Sequence, residues 1–273
     1  MDKARFEQDM KEFVQHSPGN YIPKDIALRP DLAGMQIFRE PIFGYASAED
    51  PLFEELKNPG IIGPHFMIPR EWLSGAETVI SLFLPFTETV RAANRQSMDW
   101  PAIEWLHARI EGQAFQDQIC TFGEELFRNE GIEALAPMVD PRFSRINPLT
   151  HNRNETSNWS ERHVAYACGL GTFGLSKGLI TQKGIAGRYI SVITAAHFTR
   201  DKRPYTGLYD YCIRCGACVR NCPGGAISLE KGKSHPLCAA FMEATEAKHA
   251  PRFGCGKCQV KVPCEERIPI GHR

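Results

Sequence analysis

Eight cysteines near the end of the chain have the type and spacing of iron–sulfur ligands. Four of them form the run Cys212-Ile-Arg-Cys215-Gly-Ala-Cys218-Val-Arg-Asn-Cys222-Pro223, which reads C-x2-C-x2-C-x3-C-P. A [4Fe–4S] cubane needs one soft thiolate for each iron, and short turns of small residues let three thiolates converge on neighbouring corners. In runs of this kind the fourth cysteine ligates a second cluster. The run therefore predicts another set of cysteines further along the chain.

The further cysteines are present with irregular spacing, as Cys238, Cys255-Gly-Lys-Cys258 and Cys264. We predict two [4Fe–4S] clusters with four ligands each. The first cysteine set is Cys212, Cys215, Cys218 and Cys264, and the second cysteine set is Cys222, Cys238, Cys255 and Cys258. Zinc and disulfides are the alternatives. Zinc sites usually show paired C-x2-C units, which four cysteines in eleven residues ending in Cys-Pro do not match.

Residue periodicity predicts the elements that position these cysteines. We predict buried strands at 78–84, 132–139 and 189–194. We predict helices at 2–15, 101–128 and 160–168. The stretch 16–75 is rich in proline and glycine, which indicates loops with short elements. The fold class is thus α+β/α/β, with an α/β body over residues 1–206 and a double-cluster, ferredoxin-like module over residues 207–273.

The overall charge gives no reason to expect nucleic acid or an anionic membrane as a partner. The chain has 32 basic and 32 acidic residues and a net charge of zero. Residues 1–10 are polar, no signal-like apolar segment follows them, and no apolar run approaches membrane length. We therefore expect a cytoplasmic protein, in which thiolates escape disulfide formation. Cys120 and Cys168 lie outside both sets and are predicted to be buried small hydrophobes.

A glycine motif precedes the cysteines. Gly169-Leu-Gly171-Thr-Phe-Gly174 formally matches the dinucleotide fingerprint G-x-G-x-x-G. A dinucleotide site is disfavoured, because the motif follows a helical pattern and no Asp or Glu occurs between residues 163 and 200 to hold a ribose. Two interpretations remain. The three glycines either let the backbone approach a large planar cofactor, or they form a tight turn from helix to loop.

The stretch that contains this motif, Ser160-Glu161-Arg162 through Gly174, closely resembles the epoxyqueuosine reductases, a family related to the reductive dehalogenases. The resemblance continues through the cysteine run to Cys255-x2-Cys258-Gln259 and covers roughly residues 130–265. It implies a nitroreductase-like α/β body that binds cobalamin, joined to a module with two [4Fe–4S] clusters. The lysine that follows the third glycine in the family is Leu175 here.

The resemblance also indicates a candidate proton donor. In epoxyqueuosine reductases an aspartate six residues before the Glu-Arg pair is thought to protonate the substrate, and here that position is Glu155. The replacement keeps a carboxyl group and adds one methylene. A solvated surface acid is the alternative for Glu155. Asp140 is the second candidate, because it follows a predicted strand and strand ends often carry chemistry.

Together these features predict a reductase. Electrons from a low-potential donor of the ferredoxin or flavodoxin type would pass through two clusters to a corrinoid or a small-molecule substrate. One alternative is an electron-transfer or corrinoid-activating protein that serves a separate partner. Another is a minimal tRNA epoxyqueuosine reductase. That family continues into a helical-repeat region that helps to hold tRNA, whereas this sequence ends nine residues after Cys264, so tRNA is the less expected substrate.

Overall fold

The structure, a computed structural model, describes residues 1–146 and 156–271. The helices within these residues are α1 (Lys3–His16), α2 (Pro51–Glu55), α3 (Pro69–Trp72), α4 (Glu88–Gln96), α5 (Ile103–Arg128), α6 (Glu161–Ala167), α7 (Ala217–Arg220) and α8 (His235–His249). The strands are β1 (Ile42–Ser47), β2 (Thr78–Pro85), β3 (Ala134–Leu135), β4 (Arg145–Ile146), β5 (Thr156–Ser157), β6 (Gly171–Phe173), β7 (Leu179–Thr181), β8 (Gly187–Thr194), β9 (Ile227–Ser228) and β10 (Gly232–Lys233).

A four-stranded sheet in the order β1-β2-β8-β3 forms the centre of the body. All three pairings are antiparallel, so the body is a mixed α and β fold rather than a parallel α/β sheet. Every residue of β2 is buried, because alternate side chains enter different cores on the two faces of the sheet. Ile80 and Leu82 pack with α1 and α5, whereas Val79 packs with the aromatic core around Trp159.

Most of the predicted elements are confirmed, and one strand is much shorter than predicted. Helices α1 and α5 and strands β2 and β8 lie where the periodicity placed them. The strand predicted at 132–139 is limited to Ala134–Leu135, which pairs with β8. The reason is local: the backbone N–H of Ala136 donates to Glu124 Oε1 at 2.7 Å, and Pro137 has no N–H to give to a ladder.

The cysteine-rich segment docks on this body. The insertion between Cys238 and Cys255 is helix α8, whose N-cap Ser234 accepts a hydrogen bond from the N–H of Leu237. Phe241 of α8 stacks on Trp100, with ring centroids 5.6 Å apart. Within 1–146 and 156–271, no helix is long and apolar enough to cross a membrane.

Candidate iron–sulfur centres

The two cysteine sets gather around two separate cavities. All four cysteines of the first set line a cavity of about 20 Å³. All four cysteines of the second set line a larger cavity, of about 160 Å³, which we call the second cavity. No Asp, Glu or His is among the described residues that line either cavity, so the donors are thiols alone. A four-thiol donor set around one space fits a [4Fe–4S] cubane.

The thiols of each set act electrostatically on one another. Burial, and then the thiols of Cys212, Cys218 and Cys215, raise the pKa of the Cys264 thiol to about 12. In the second set, burial and the neighbouring thiols raise the pKa of Cys255 to about 12. Four ionised thiols side by side would repel one another, whereas a bound metal deprotonates the thiols that coordinate it. The grouping therefore favours a metal cluster as the partner of each set.

Two glycines in the left-handed backbone conformation shape the ligand loops. Gly216, between Cys215 and Cys218, has φ 71° and precedes α7. Gly256, between Cys255 and Cys258, has φ 65°, and a Cβ on it would lie 1.9 Å from the Trp105 ring. Only glycine fits at position 256, because any other residue would have a strained backbone there and its side chain would collide with the body.

Helix α4 holds the second set against the body. The side-chain amide of the buried Asn94 donates to the carbonyl oxygen of Cys255 at 3.0 Å. Lys257, which is 0% exposed, donates from Nζ to the Asn94 carbonyl and to Asn94 Oδ1, both at 2.7 Å. A buried ammonium group therefore lies in the loop between two ligands of the second set. Sequence reasoning missed both residues, because neither stands out by type or spacing.

The same helix also holds the last ligand of the first set. Glu265 follows Cys264 and accepts hydrogen bonds from Arg95 Nε at 2.9 Å and from Arg91 Nη1 at 3.1 Å. The Arg91 and Glu265 side chains are 3% and 9% exposed, so this is a buried ion pair. It fixes the segment that carries Cys264 to the body.

The two sets differ in their distance from the protein surface. Cys215 of the first set is exposed, whereas all four cysteines of the second set are at least half-buried. The second cavity is also lined by Phe86, Trp105, Arg109 and Arg188 of the body. Cys218 of the first set and Cys258 of the second lie close enough for their thiols to interact electrostatically. The first set is thus the more exposed one, although residues of the body also line its cavity, among them Ile180 and Ile185.

The predicted glycine motif forms the turn that follows α6 and leads into a hairpin. Gly169 has φ 86° and its N–H donates to the Tyr166 carbonyl at 3.2 Å, as at a helix end. Gly171 lies in β6, and a Cβ on it would be 1.9 Å from the Ile180 carbonyl oxygen of β7. The N–H of Gly174 donates to the Gly178 carbonyl at 2.8 Å. The chain's own packing thus explains the motif as a turn, and cofactor binding by these glycines stays a prediction.

The hairpin of β6 and β7 supports the first cysteine set. Thr172 Oγ1 accepts a hydrogen bond from the N–H of Tyr211 at 2.9 Å, directly before Cys212. The N–H of Phe173 donates to the Leu208 carbonyl at 2.8 Å. These bonds fix the chain where it enters the cysteine run.

The candidate acids have different environments. Glu155 lies outside the described residues. Asp140 is paired with Arg142 through bonds of 2.9 and 2.8 Å, and hydrogen bonding to Arg142 lowers its pKa, which favours the ionised form over a proton donor. Glu161 was missed as a candidate, although it belongs to the Glu-Arg pair of the family resemblance. Both of its carboxyl oxygens are buried, and burial raises the pKa of Glu161 to about 7, although the side chains of Ser191 and Trp159 act to lower it.

Parts of the chain match a known family model and two curated proteins. Residues 208–228 match the family model of the 4Fe-4S binding domain. A segment of 120 residues is 32% identical to an epoxyqueuosine reductase of Listeria monocytogenes serovar 1/2a, covering 40% of this chain and 30% of that protein. A segment of 61 residues is 41% identical to the methylamine utilization ferredoxin-type protein MauM of Methylorubrum extorquens, covering 22% of this chain and 24% of that one. The chain thus spans less than a third of either curated relative.

Solved structures share the fold over most of the chain. An epoxyqueuosine reductase from Bacillus subtilis aligns with a TM-score of 0.52 and 16% identity, covering 98% of this chain and 67% of that one. The catabolic reductive dehalogenase NpRdhA aligns with a TM-score of 0.54 and 18% identity, covering 84% of this chain and 30% of that one. The chain is thus similar to an epoxyqueuosine reductase in sequence over 120 residues, and it shares the fold of epoxyqueuosine reductases and a reductive dehalogenase over most of its length.

Proposed function

We propose that this protein is an iron–sulfur oxidoreductase that relays single electrons through two [4Fe–4S] clusters to an acceptor on the α/β body. One observation carries the proposal: four thiols line each of two cavities, and residues of the body also line the second one. A bound [4Fe–4S] cluster supplies one-electron transfer at a potential set by burial and by hydrogen bonds to sulfur.

The protein would hold the two clusters in place, and it would stabilise the charge on their ligands. Asn94 and the pair of Arg91 with Glu265 fix the backbone beside Cys255 and Cys264. The N–H of Ala226 donates to the Cys222 sulfur at 3.2 Å, a contact that stabilises negative charge on that ligand.

The arrangement supports one direction of electron flow. Because Cys215 is exposed, we propose that a low-potential donor of the ferredoxin or flavodoxin type delivers electrons at the first set. Cys218 and Cys258 lie where the two sets approach each other. The second set lines the larger cavity, beside which the acceptor would bind.

We further propose a corrinoid or a small molecule as the acceptor. A structurally similar reductive dehalogenase has been linked to B12-dependent dehalogenation. An epoxyqueuosine reductase has been crystallised with an epoxyqueuosine-modified tRNA stem loop. The second cavity, at about 160 Å³, suits a cluster and a small group rather than a corrin ring.

Anaerobic reconstitution tests the relay. We expect about eight iron atoms per chain, and two electron paramagnetic resonance (EPR) signals after reduction that interact magnetically. A single cluster, or zinc in place of iron at either set, would contradict the proposal.

A second experiment tests the acceptor. Cobalamin in the Co(II) state is added to the reconstituted protein, and its EPR spectrum is recorded. A shift to base-off, five-coordinate cobalt would support a reductase with a bound corrinoid. An unchanged cobalamin spectrum beside two normal cluster signals would favour an electron-transfer protein that serves a partner.

A further inference from the structure

The second cavity is lined by an excess of positive charge. Its charged lining residues are all cationic, namely Arg109, Arg162, Arg188, Lys233 and Lys257. A cubane with four thiolates would contribute about −2. Even with Arg109 left out of the count, the other four cations would exceed the charge of the cluster. The need to balance the negative charge of the cluster therefore does not explain all of the cationic residues that line the second cavity.

Arg188, at the start of β8, is held in place by neutral partners. Its Nη2 donates to Gln113 Oε1 at 2.6 Å, and its Nε donates to Gln116 Oε1 at 2.9 Å. Amide oxygens orient a guanidinium group but leave its charge unbalanced. Asp117, which acts electrostatically on Arg188, instead accepts a hydrogen bond from the Gln113 amide at 3.0 Å. Within 1–146 and 156–271, the Nη1 group of Arg188 has no acceptor, so it is available to a ligand.

Arg162 is the second available cation. It is exposed, lies in the first turn of α6, and forms no hydrogen bond or ion pair with any residue that the structure describes. A cation at this end of a helix is opposed by the helix dipole, so helix stability does not explain its position. It lies close enough to Arg188 to lower the pKa of that guanidinium, after burial and Arg109.

Further cations surround the same opening. Burial, Lys177, Lys233 and Arg162 together lower the pKa of His235 to about 4. Burial and Lys233 lower the pKa of Lys177. Each positive charge thus disfavours the charged form of its neighbours, and a bound anion would relieve that repulsion.

We propose that Arg162 and Arg188 bind an anionic group of the electron acceptor, a carboxylate or a phosphate, over the second cysteine set. The proposal rests on the proposed function, because it places this acceptor at the second cluster. Guanidinium groups bind both kinds of anion through paired, charge-assisted hydrogen bonds. The substrate class is therefore a small organic acid or a phosphate ester.

The test uses the reconstituted protein with both clusters. Binding of inorganic phosphate and, separately, of benzoate is measured by anaerobic calorimetry in a chloride-free zwitterionic buffer. We expect at least one of them to bind, and R162Q and R188Q each to weaken that binding by about tenfold, the effect of losing one charged hydrogen bond. R128Q is the matched control, since Arg128 is exposed and its side chain pairs with Glu124, and it should bind like the wild type.

The outcomes distinguish a phosphate ester from an organic acid. They also distinguish failure of this inference from failure of the proposed electron relay. Binding of phosphate alone would identify a phosphate ester, and binding of benzoate alone an organic acid. Intact cluster signals with no binding of either probe, or with wild-type binding by R162Q and R188Q, would overturn the inference and leave the relay standing. A wild-type protein without two clusters would instead overturn the proposed function. Because Arg162 is exposed, R162Q should fold even if R188Q does not.

Discussion

The ammonium group of Lys257 donates to the side-chain oxygen of Asn94 at 2.7 Å, and the other end of the same amide donates to Cys255. One side chain of α4 therefore anchors a cluster ligand and a buried positive charge together. The charge lies in the loop between Cys255 and Cys258, so it should favour the reduced, more negative state of the second cluster.

Replacing Lys257 with methionine should make the second cluster harder to reduce. A unit charge removed at this range in a partly buried site corresponds to a drop in midpoint potential on the order of 50–100 mV. A potentiometric titration followed by EPR would measure it. The exposed Lys231→Met is the control and should leave the potential unchanged. Equal potentials in Lys257→Met and wild type would show that the charge does not act on the cluster.

The sequence could predict features that depend on spacing, but not those that depend on packing. The spacing from Cys212 to Cys222 placed the cysteine run, and the periodicity of 101–128 placed α5. Strand β1 was missed, because Gly44 weakens a strand pattern. That glycine is needed because a Cβ there would lie 2.5 Å from the Cys168 carbonyl oxygen, a contact invisible in sequence.

The same limit applies to the site. Lys257 and Asn94 lie 163 residues apart in sequence, and no local pattern connects them. Glu161 has the pattern of an ordinary first-turn acid of a helix, and only the fold shows that its carboxyl group is buried. The charge of the second cavity likewise comes from α5, α6, β8 and the cysteine-rich segment together.

The division of ligands between the two clusters predicts different effects for two serine substitutions. Cys222→Ser should change the EPR signal of the second cluster, because Cys222 lines the second cavity. Cys264→Ser should change that of the first, because Cys264 lines the smaller cavity. Cys120→Ser, in the buried core of the body, is the control and should alter neither signal. If each ligand variant changed the signal of the opposite cluster, the assignment would be wrong.

The buried carboxyl group of Glu161 should make stability depend on pH. Burial raises its folded-state pKa from 4.5 to about 7. The protonated form is thus favoured in the folded protein. Its stabilisation is complete below about pH 4.5 and is lost as the pH rises through about 7. Between about pH 6 and about pH 8.5 the wild type should lose roughly 1–2 kcal/mol of unfolding free energy through this group.

Glu161→Gln should remove that loss, because an amide keeps the shape without ionising. Anaerobic guanidinium unfolding at both pH values would measure it. The exposed Glu125→Gln is the control and should keep the pH dependence of the wild type. A Glu161→Gln protein that lost stability as steeply as the wild type would mean that another group is responsible.

The buried pair of Arg91 and Glu265 should be essential for the first cluster. Glu265→Ala leaves Arg91 buried beside fewer acceptors, and removing one partner of a buried pair costs about 3–5 kcal/mol. Because Cys264 precedes Glu265, this variant should also lose the first cluster at lower denaturant concentration than the second. Glu266→Ala is the matched control. Its side chain is 47% exposed and also contacts Arg91, yet an exposed pair contributes less than about 1 kcal/mol. Unfolding curves followed by cluster absorbance and EPR would compare the two variants, and equal behaviour would show that the buried pair does not support the Cys264 segment.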